Sequence, residues 1–298
     1  MNSAMDRRTF AKTIAGSLGA AAIPVLNSAQ RRLKIGYTCL TWGAGPGRPA
    51  QLDPSVKEIS GLGFWAFETF AEVLVAWDEK NELKALIDRY GIPLNAGYFV
   101  VNVTDPALQK DNIPQAVQFA KTVRKYGGNF LVFQVNGVKR AEYDFQAHRA
   151  NMIKILNDVS MAINDAGVGT GLHQHTNTAV ETREEVYSIM EGVNTKYVKF
   201  APDVGQLQRG GSDAAKVVKD FLSIIEHVHV KDFDGTRYCP LGQGKVDIAG
   251  ILDMIEASGK SPNLNVELDS SRPQTPLEAA QTTKNYLQTL GYQFRPAA

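Results

Sequence analysis

The sequence predicts a single (β/α)8 TIM barrel of the α/β class over residues 30–298. Eight short β-rich runs alternate strictly with eight helix-like segments, a pattern typical of parallel strands joined by crossover helices. A length of about 265 residues for eight units fits a closed barrel better than an open doubly wound sheet. No glycine-rich loop of the GxGxxG or GxxxxGK type follows any of the runs, which argues against a nucleotide-binding sheet.

The strands are predicted from short runs rich in β-branched, aromatic and other apolar residues. In chain order these runs are 33–38, 64–68, 93–100, 129–135, 169–175, 198–203, 225–232 and 264–269. The helices are predicted from apolar residues that recur at 3.6-residue spacing. In chain order they are 54–60, which is the weakest, 79–90, 113–126, 145–166, 181–191, 214–224, 248–258 and 276–290. Gly91, Gly127 and Gly167 each follow a predicted helix, as C-terminal caps do.

The composition is that of an ordinary globular protein. Of 298 residues, 32 are Lys or Arg and 31 are Asp or Glu, which gives a net charge of +1. This balance offers no electrostatic footprint for nucleic acid or an anionic membrane. The two cysteines, Cys39 and Cys239, are too few for a disulfide scaffold or a structural zinc site, and their spacing does not decide whether they pair.

Residues 1–29 are predicted to be an export signal that is removed from the barrel. Arg7 and Arg8 precede an uncharged apolar run over 13–26, and residues 27–29 follow as a processing site. Paired arginines followed by Phe and Lys resemble a twin-arginine signal, which predicts a periplasmic protein. A membrane-anchoring first helix is the alternative, but the run is shorter than the ~20 residues of a span. We therefore expect no membrane association after the signal is removed.

Polar side chains are expected at one end of the barrel, because the active sites of such barrels lie at the carboxyl ends of the strands. Side chains two apart on a strand share a face, so His173 and His175 point the same way, as do His227 and His229. If these side chains point into the barrel lumen, neighbouring strands bring imidazoles and carboxylates together. The strand-end residues are Glu68, His173, His175, Asp203, His227, His229, Lys231, Asp232, Glu267 and Asp269.

Two imidazoles and two carboxylates from neighbouring strands predict a mixed nitrogen and oxygen site for a divalent transition metal. A buried Asp–Glu pair would otherwise repel itself, and a metal ion removes that cost. Each residue alone has a structural alternative, because His-x-His on a strand is commonly structural and Asp203 can cap the next helix. Glu68 can likewise be a cap or an ion-pair partner. Their occurrence together at the strand ends is what favours the metal site.

Several motifs resemble the xylose isomerase-like TIM barrel superfamily of sugar isomerases and epimerases. They are His227-Val-His-Val-Lys-Asp232, Gly242-Gln-Gly-Lys-Val-Asp247 and Val266-Glu-Leu-Asp269. Leu172-His-Gln-His-Thr-Asn-Thr178, with an acidic segment behind it over 181–185, most resembles the inosose dehydratase branch. The related 3-keto-glycoside lyases share this style. The resemblance covers about residues 33–290 and implies the same barrel fold.

The resemblance implies four metal ligands, namely His173, Asp203, His229 and Glu267. The expected cofactor is a divalent metal, with Mn²⁺ ahead of Co²⁺, Zn²⁺ and Mg²⁺. His173 stands where most isomerases and epimerases of the family have Glu, which in the epimerases also serves as one of two acid/base groups on opposite faces of the sugar. Gln206 stands where the family often has His, so it can hydrogen-bond a substrate but cannot shuttle a proton.

These residues predict a lyase that removes a proton next to a sugar ketone and expels a β-oxygen. The metal would act as a Lewis acid, and Glu267 or His175 would take the proton. Lys231, together with Glu68, would hold or protonate substrate hydroxyls. The residues expected to bind substrate are Glu68, Gln206, Trp42 and Tyr238, the last two as aromatic walls.

Elimination is favoured by His173, by the likeness to dehydratases and by the export signal, since a 3-keto-glycoside is a reasonable periplasmic substrate. The first alternative is a sugar isomerase or epimerase that uses the same metal. The others are a metal-dependent AP endonuclease, against which the near-zero charge argues, and a non-catalytic sugar-binding module. The predicted partner is a small-molecule carbohydrate, and the sequence does not decide whether the chain forms a homo-oligomer.

Overall fold

Eight parallel strands form the predicted barrel in the computed structural model, which describes residues 31–296. The described residues contain ten strands, of which all but β8 and β9 belong to the barrel. They are β1 Ile35–Thr38, β2 Phe67–Phe70, β3 Leu94–Val101, β4 Phe130–Val135, β5 Gly169–His173, β6 Lys199–Phe200, β7 His227–Val230, β8 Asp232–Phe233, β9 Tyr238–Cys239 and β10 Asn263–Val266. Parallel pairings join the barrel in the order β6-β5-β4-β3-β2-β1-β10-β7. The antiparallel pair β8 and β9 forms a separate hairpin after β7. The prediction of a TIM barrel is therefore confirmed.

The barrel closes between β6 and β7 through isolated contacts rather than a full ladder. Parallel bridges join Phe200 to Ile225 and Asp203 to His229. The amide of His229 donates to the carbonyl oxygen of Pro202 at 2.9 Å. This seam places the residues that follow β6 directly beside β7.

The helices pack around the barrel. In the described part of the chain they are α1 Leu52–Gly61, α2 Ala71–Glu79, α3 Leu83–Tyr90, α4 Pro106–Gln109, α5 Asn112–Lys125, α6 Phe145–Asp165, α7 Arg183–Gly192, α8 Val204–Arg209, α9 Ala214–Phe221, α10 Ile248–Ala257 and α11 Pro276–Thr289. Gly91, Gly127 and Gly167 have φ values of 57°, 87° and 82°, the left-handed conformation expected of helix C-caps. Thr182 begins α7 with a capping box to Glu185.

The predicted helix 79–90 is confirmed over Leu83–Tyr90, where α3 lies, but its first residues belong to the end of α2 and to the break between the two helices. Helix α2 itself is not predicted from the sequence. Asn81, between the two helices, has a positive φ of 59°, which a continuous right-handed helix does not allow. Helix α2 follows β2 without a turn residue, so its apolar residues cannot be separated from the strand by sequence alone. Strand β5 ends at His173, and β6 ends at Phe200, so both are shorter than predicted.

Apolar side chains fill the barrel lumen below its carboxyl end. Ala96, Phe130, Val132 and Ala201 form a buried cluster against which Tyr98 packs. Because alternate residues of a strand face the same side, this cluster points to the same side as Tyr98, which lines the pocket described below. A larger core lies between the strands and the helices. The apolar cluster forms the floor beneath the polar end of the barrel.

Cys39 and Cys239 are both buried free thiols, so they are not paired with each other. Among the described helices, none combines the length and the apolar character that a membrane span needs. The predicted export signal, residues 1–29, lies outside the described residues.

Candidate active site at the carboxyl ends of the strands

The structure brings together the four residues that the sequence analysis names as metal ligands. One atom from each of His173, Asp203, His229 and Glu267 lies within 4.8 Å of the others. His173 ends β5, Asp203 follows β6, His229 lies in β7, and Glu267 follows β10. All four side chains are buried. The barrel therefore gathers two imidazoles and two carboxylates at one point, a donor set that suits a divalent transition metal.

Asp203 uses its two carboxylate oxygens for two different contacts. Oδ1 accepts a hydrogen bond from the amide of Gln206 at 2.9 Å, which caps the start of α8. Oδ2 lies 2.8 Å from Nζ of Lys231 and 4.0 Å from Nε2 of His173. Asp203 is therefore both the helix cap that its position suggests and a member of the cluster.

Lys231 is a fully buried cation among three carboxylates. Its Nζ lies 2.7 Å from Oε1 of Glu267, 2.8 Å from Oδ2 of Asp203 and 2.9 Å from Oδ2 of Asp269. Burial alone would lower the pKa of this ammonium, but the three carboxylates outweigh it and hold the pKa well above its usual value. Lys231 is therefore charged at neutral pH and ties the three carboxylates together.

The buried charges at the site do not balance. Asp203, Glu267 and Asp269 surround the one ammonium of Lys231, and Glu68 contacts His229. Four carboxylates against one ammonium leave an excess of negative charge whether or not His229 is protonated. Both ring nitrogens of His173 are buried without a hydrogen-bond partner. Burial, together with the neighbouring imidazoles and ammonium, holds the pKa of His173 well below its usual value, so its ring is neutral. A neutral imidazole with a free lone pair beside excess negative charge fits a divalent cation.

His229 lies between two carboxylates. Its Nδ1 is 3.0 Å from Oε2 of Glu267, and its Nε2 is 2.7 Å from Oε1 of Glu68. Burial would lower the pKa of His229, but Glu267 and Glu68 outweigh it and raise the pKa to about 9. Burial raises the pKa of Glu267 above its usual value, against the opposing effect of His229 and Lys231. A cation that binds here must therefore displace a proton from His229.

Glu68, which the sequence analysis assigns to substrate, has buried partners for both carboxylate oxygens. Oε1 meets His229, while Oε2 accepts from Nδ2 of Asn265 at 2.9 Å and lies 3.1 Å from Nε2 of His227. His227 and His229 thus point to the same side of β7. Burial would raise the pKa of Glu68, but the two imidazoles outweigh it and lower the pKa far below its usual value. Glu68 is ionised at the floor of the pocket, and substrate binding by this residue stays a prediction.

A pocket of about 240 Å³ opens over the cluster. This volume is smaller than the about 300–1,000 Å³ of sites for drug-sized ligands, so it suits one small molecule. Strand ends from around the barrel contribute to its lining. The lining includes Phe70, Tyr98, Val100, His175, Glu267 and Asp269.

His175, Gln206 and Tyr238 form a hydrogen-bonded chain beside the pocket. Nδ1 of His175 lies 2.7 Å from the carbonyl oxygen of Thr176 and Nε2 lies 2.7 Å from Nε2 of Gln206, so these partners assign the proton to Nδ1. Oε1 of Gln206 accepts from the hydroxyl of Tyr238 and from that of Thr176. Both nitrogens of His175 and the whole amide of Gln206 therefore have protein partners. His175 can act as a base only when its contact with Gln206 opens.

Trp42 lies apart from the residues that line this pocket. Its Nε1 donates to Oε2 of Glu58 at 2.6 Å, and its ring meets Tyr37 edge-on with centroids 5.2 Å apart. These contacts hold the indole against α1. A role for Trp42 as a substrate wall stays a prediction.

Tyr98 and Asp269 line the pocket, although the sequence analysis gives neither of them a binding or catalytic role and lists Asp269 only as a strand-end residue. The ring of Tyr98 stacks on His229 at 6.1 Å and meets His173 edge-on at 5.5 Å. Burial raises the pKa of Tyr98 well above its usual value, so the phenol stays neutral. The spacing of Asp269, two residues after Glu267, could have placed it on the same face.

Asp232 organises the loop after β7. Its carboxylate accepts from the amides of Gly242, Gly244 and Val246 at 3.0, 2.9 and 3.1 Å. A Cβ at Gly244 would collide with Oδ1 of Asp232, so the close approach requires glycine. The same loop carries Tyr238 to the site. The close approach of Asp232 therefore accounts for Gly244, whereas the positive φ of 84° accounts for Gly242.

Comparison with known proteins identifies the barrel family that the chain matches. Residues 56–290 match the family described as "Xylose isomerase-like TIM barrel". An inosose dehydratase from Clostridium perfringens is 26% identical over 152 residues, 44% of this chain and 51% of that protein, so the chain spans about half the length of this curated relative.

Two solved structures share the fold over most of the chain. A 3-keto-D-glucoside 4-epimerase from E. coli has a TM-score of 0.68 at 17% identity, covering 87% of this chain and 99% of that chain. The IOLI protein with a bound zinc atom has a TM-score of 0.68 at 20% identity, covering 89% of this chain and 100% of that chain. At these identities the likeness shows the fold alone.

Proposed function

Because the chain belongs to the xylose isomerase-like TIM barrel family, we propose that it is a metal-dependent lyase that eliminates an oxygen substituent from a cyclitol or sugar ketone. The observation that carries the proposal is the buried cluster of His173, Asp203, His229 and Glu267 beneath a pocket for one small molecule. The likeness to an inosose dehydratase supports elimination. A 3-keto-glycoside is the second substrate class, since its C2 proton is acidified by the C3 ketone and its aglycone oxygen is β to that ketone.

The four clustered side chains would hold one divalent cation. Its positive charge would offset the excess of negative charge that the carboxylates around Lys231 and His229 leave. When bound, the cation supplies Lewis-acid polarisation of the substrate ketone. Zinc in the related IOLI protein supports a cation of this class, and Mn²⁺ remains our first expectation.

Glu267 is the proposed base. It takes the proton from the carbon next to the ketone, and the electron pair of that C–H bond forms the enolate. As the ketone re-forms, a C=C bond forms, the β carbon–oxygen bond breaks, and Glu267 returns its proton to the leaving oxygen. Burial raises the pKa of Glu267, which suits a group that must both take and return a proton. Lys231, 2.7 Å away, holds the carboxylate in position.

Elimination needs one base, whereas two-base epimerisation needs a second base on the other face of the substrate. The resembling epimerases carry Glu at the position of His173, and the pKa of His173 is held well below its usual value by burial. An imidazole this weakly basic is a poor base for a carbon acid. Both nitrogens of His175 are engaged by protein groups. These two features favour the lyase over the epimerase.

The reaction is tested with purified protein and Mn²⁺, using p-nitrophenyl 3-keto-glucoside and an inosose in parallel. We expect release of nitrophenolate or of water, and loss of turnover in Glu267→Gln but not in the exposed control Glu184→Gln. Exchange of deuterium from D2O into the substrate without release of a leaving group would contradict elimination and support the isomerase or epimerase alternative.

The ligand assignment is tested at Asp203, because Asn keeps an oxygen for the helix cap while removing the charge. We expect both Asp203→Ala and Asp203→Asn to lose bound metal on analysis after dialysis. The Ala variant should also unfold more easily by about 1 kcal/mol, since it loses the cap of α8. Retention of metal and activity in either variant contradicts the assignment.

We also propose that residues 1–29 export the protein to the periplasm. The support is the pair Arg7 and Arg8 before an apolar run. Replacing both arginines by Lys in the full chain should keep the protein in the cytoplasmic fraction of a Gram-negative host. An unchanged distribution between the two fractions contradicts the proposal.

A further inference from the structure

Glu68 is a buried carboxylate beside the cluster that has no part in the proposed metal site or the proposed reaction. It is 1% exposed and lies at the floor of the pocket, where both carboxylate oxygens contact protein groups. Oε1 lies 2.7 Å from Nε2 of His229, and Oε2 accepts from Asn265 at 2.9 Å and lies 3.1 Å from Nε2 of His227. Both oxygens therefore meet groups that can donate hydrogen bonds.

The contact with Glu68 determines which nitrogen His229 can present to a cation. Each ring nitrogen faces a carboxylate, but Glu267 is itself a member of the cluster that would bind the cation, whereas Glu68 is not. When a cation binds at the cluster, Glu68 therefore keeps the proton on Nε2, and the lone pair is offered from Nδ1. Nδ1 is the nitrogen that faces the cluster, 3.0 Å from Oε2 of Glu267. The two sides of the imidazole thus have separate partners.

We propose that Glu68 is a positioning residue, which fixes the Nε2–H tautomer and the ring orientation of His229 so that Nδ1 is presented to the cation. This inference rests on the proposed function, because it requires a cation at the cluster. Carboxylate–histidine–metal arrangements commonly orient ligands in this way, and loss of the carboxylate typically weakens metal binding 10–100-fold.

Neighbouring strands hold Glu68 in this orientation. Asn265 and Asn95 pair through their amides at 3.0 and 3.3 Å, which directs Nδ2 of Asn265 toward Glu68. A Cβ at Gly36 would collide with Oδ1 of Asn265, so the glycine makes room for the pair. His227 is stacked on Phe130 with centroids 5.4 Å apart. The orientation of Glu68 in β2 therefore depends on residues of five other strands of the barrel.

Glu68, His227 and His229 are also close enough together to hold a cation of their own. Glu68 hydrogen-bonds His229 at 2.7 Å and Asn265 at 2.9 Å, so each of its oxygens already has a hydrogen-bond partner in the protein, which favours the positioning role. The two readings differ in stoichiometry. Positioning predicts one cation for each chain, whereas a second site predicts two.

The test compares Co²⁺ binding by the full chain and by Glu68→Gln, using calorimetry and the visible spectrum of bound Co²⁺. Three groups face the carboxylate of Glu68, namely Nε2 of His229, Nδ2 of Asn265 and Nε2 of His227. Glutamine has one oxygen in place of two, so at least one of these groups would face an NH2 group in the variant. We expect one Co²⁺ per chain, with a Kd that is about 10–100-fold weaker in Glu68→Gln and a changed Co²⁺ spectrum. The matched control is Glu256→Gln, because Glu256 is also buried but binds the amide of Arg32 near the start of β1.

A second measurement does not depend on the folding of the variant. Long-range ¹⁵N–¹H NMR of the Zn²⁺-loaded native chain should show Nδ1 of His229 as the metal-bound nitrogen and a proton on Nε2. Binding through Nε2, two cations per chain, or native affinity in folded Glu68→Gln each overturns the positioning role alone. A native chain that binds neither Co²⁺ nor Zn²⁺ overturns the proposed function and this inference with it.

Discussion

Replacing Lys231 by Met tests how the buried carboxylates are held. Methionine has a similar length and no charge, so Asp203 and Glu267 lose their common cation while the space stays filled. Nζ of Lys231 lies within 2.9 Å of both carboxylates and of Asp269. The variant therefore leaves two fully buried carboxylates close to each other without an ammonium.

We expect Lys231→Met to unfold more easily by about 3–5 kcal/mol, the usual cost of removing one partner of a buried ion pair. For a domain of this size, that loss lowers Tm by roughly 10 °C. The difference in unfolding free energy between the variant and the native chain should narrow as the pH falls to about 5. Burial raises the pKa of Glu267, so without its ammonium partner this carboxylate takes up a proton in the folded state, and the cost of an unpaired buried charge is removed. Mn²⁺ should raise the Tm of the variant more than that of the native chain, because Lys231 no longer competes with the cation for the carboxylates.

The assay is thermal unfolding in EDTA and in excess Mn²⁺, with Lys216→Met as the control. Lys216 pairs with Asp220 on the surface at 2.8 Å, so its loss should cost less than about 1 kcal/mol. Equal Tm values for Lys231→Met and the native chain in EDTA would refute the reasoning that the ammonium compensates the buried charges.

Three further predictions concern pH and local structure. In EDTA, unfolding free energy should fall as pH rises from 6.5 to about 9, because the folded chain holds a proton on His229 that the unfolded chain releases; a flat pH profile contradicts the raised pKa. Gly244→Ala should cost about 1–3 kcal/mol in urea unfolding, because its Cβ collides with Asp232, and an unchanged midpoint contradicts this packing. Thr182→Ala should cost about 1 kcal/mol through loss of the capping box with Glu185 and leave turnover unchanged, so lost turnover contradicts a purely local role.

Most of the fold could be predicted because each strand is a short apolar run bounded by turn signals. The missed helix α2 and the early start predicted for α3 have a local cause, since neither the start of α2 nor the break at Asn81 is marked by Gly or Pro. The predicted sixth strand ran through to Asp203, whereas the chain leaves the ladder after Phe200 and Asp203 caps α8. A capping role and a strand end are hard to separate when the two lie three residues apart.

The clustering of His173, Asp203, His229 and Glu267 follows from their strand-end positions, since the barrel fixes where strand ends meet. The partners of Glu68 could not be predicted in the same way. They depend on which side chains face one another across the lumen, and no spacing along the chain encodes this. Trp42 illustrates the same limit, because its contact with Glu58 depends on how α1 packs.

The seam between β6 and β7 has a consequence for how the barrel opens. One of the two bridges that close it joins Asp203 to His229, so two members of the cluster lie on opposite sides of the joint with the fewest backbone hydrogen bonds. A cation held by both residues would link the two sides of this seam and stabilise it against local opening. Amide hydrogen exchange at the start of α8 and along β7 should therefore slow when the metal binds. Whether this part of the barrel opens before the others would then depend on whether the metal is bound.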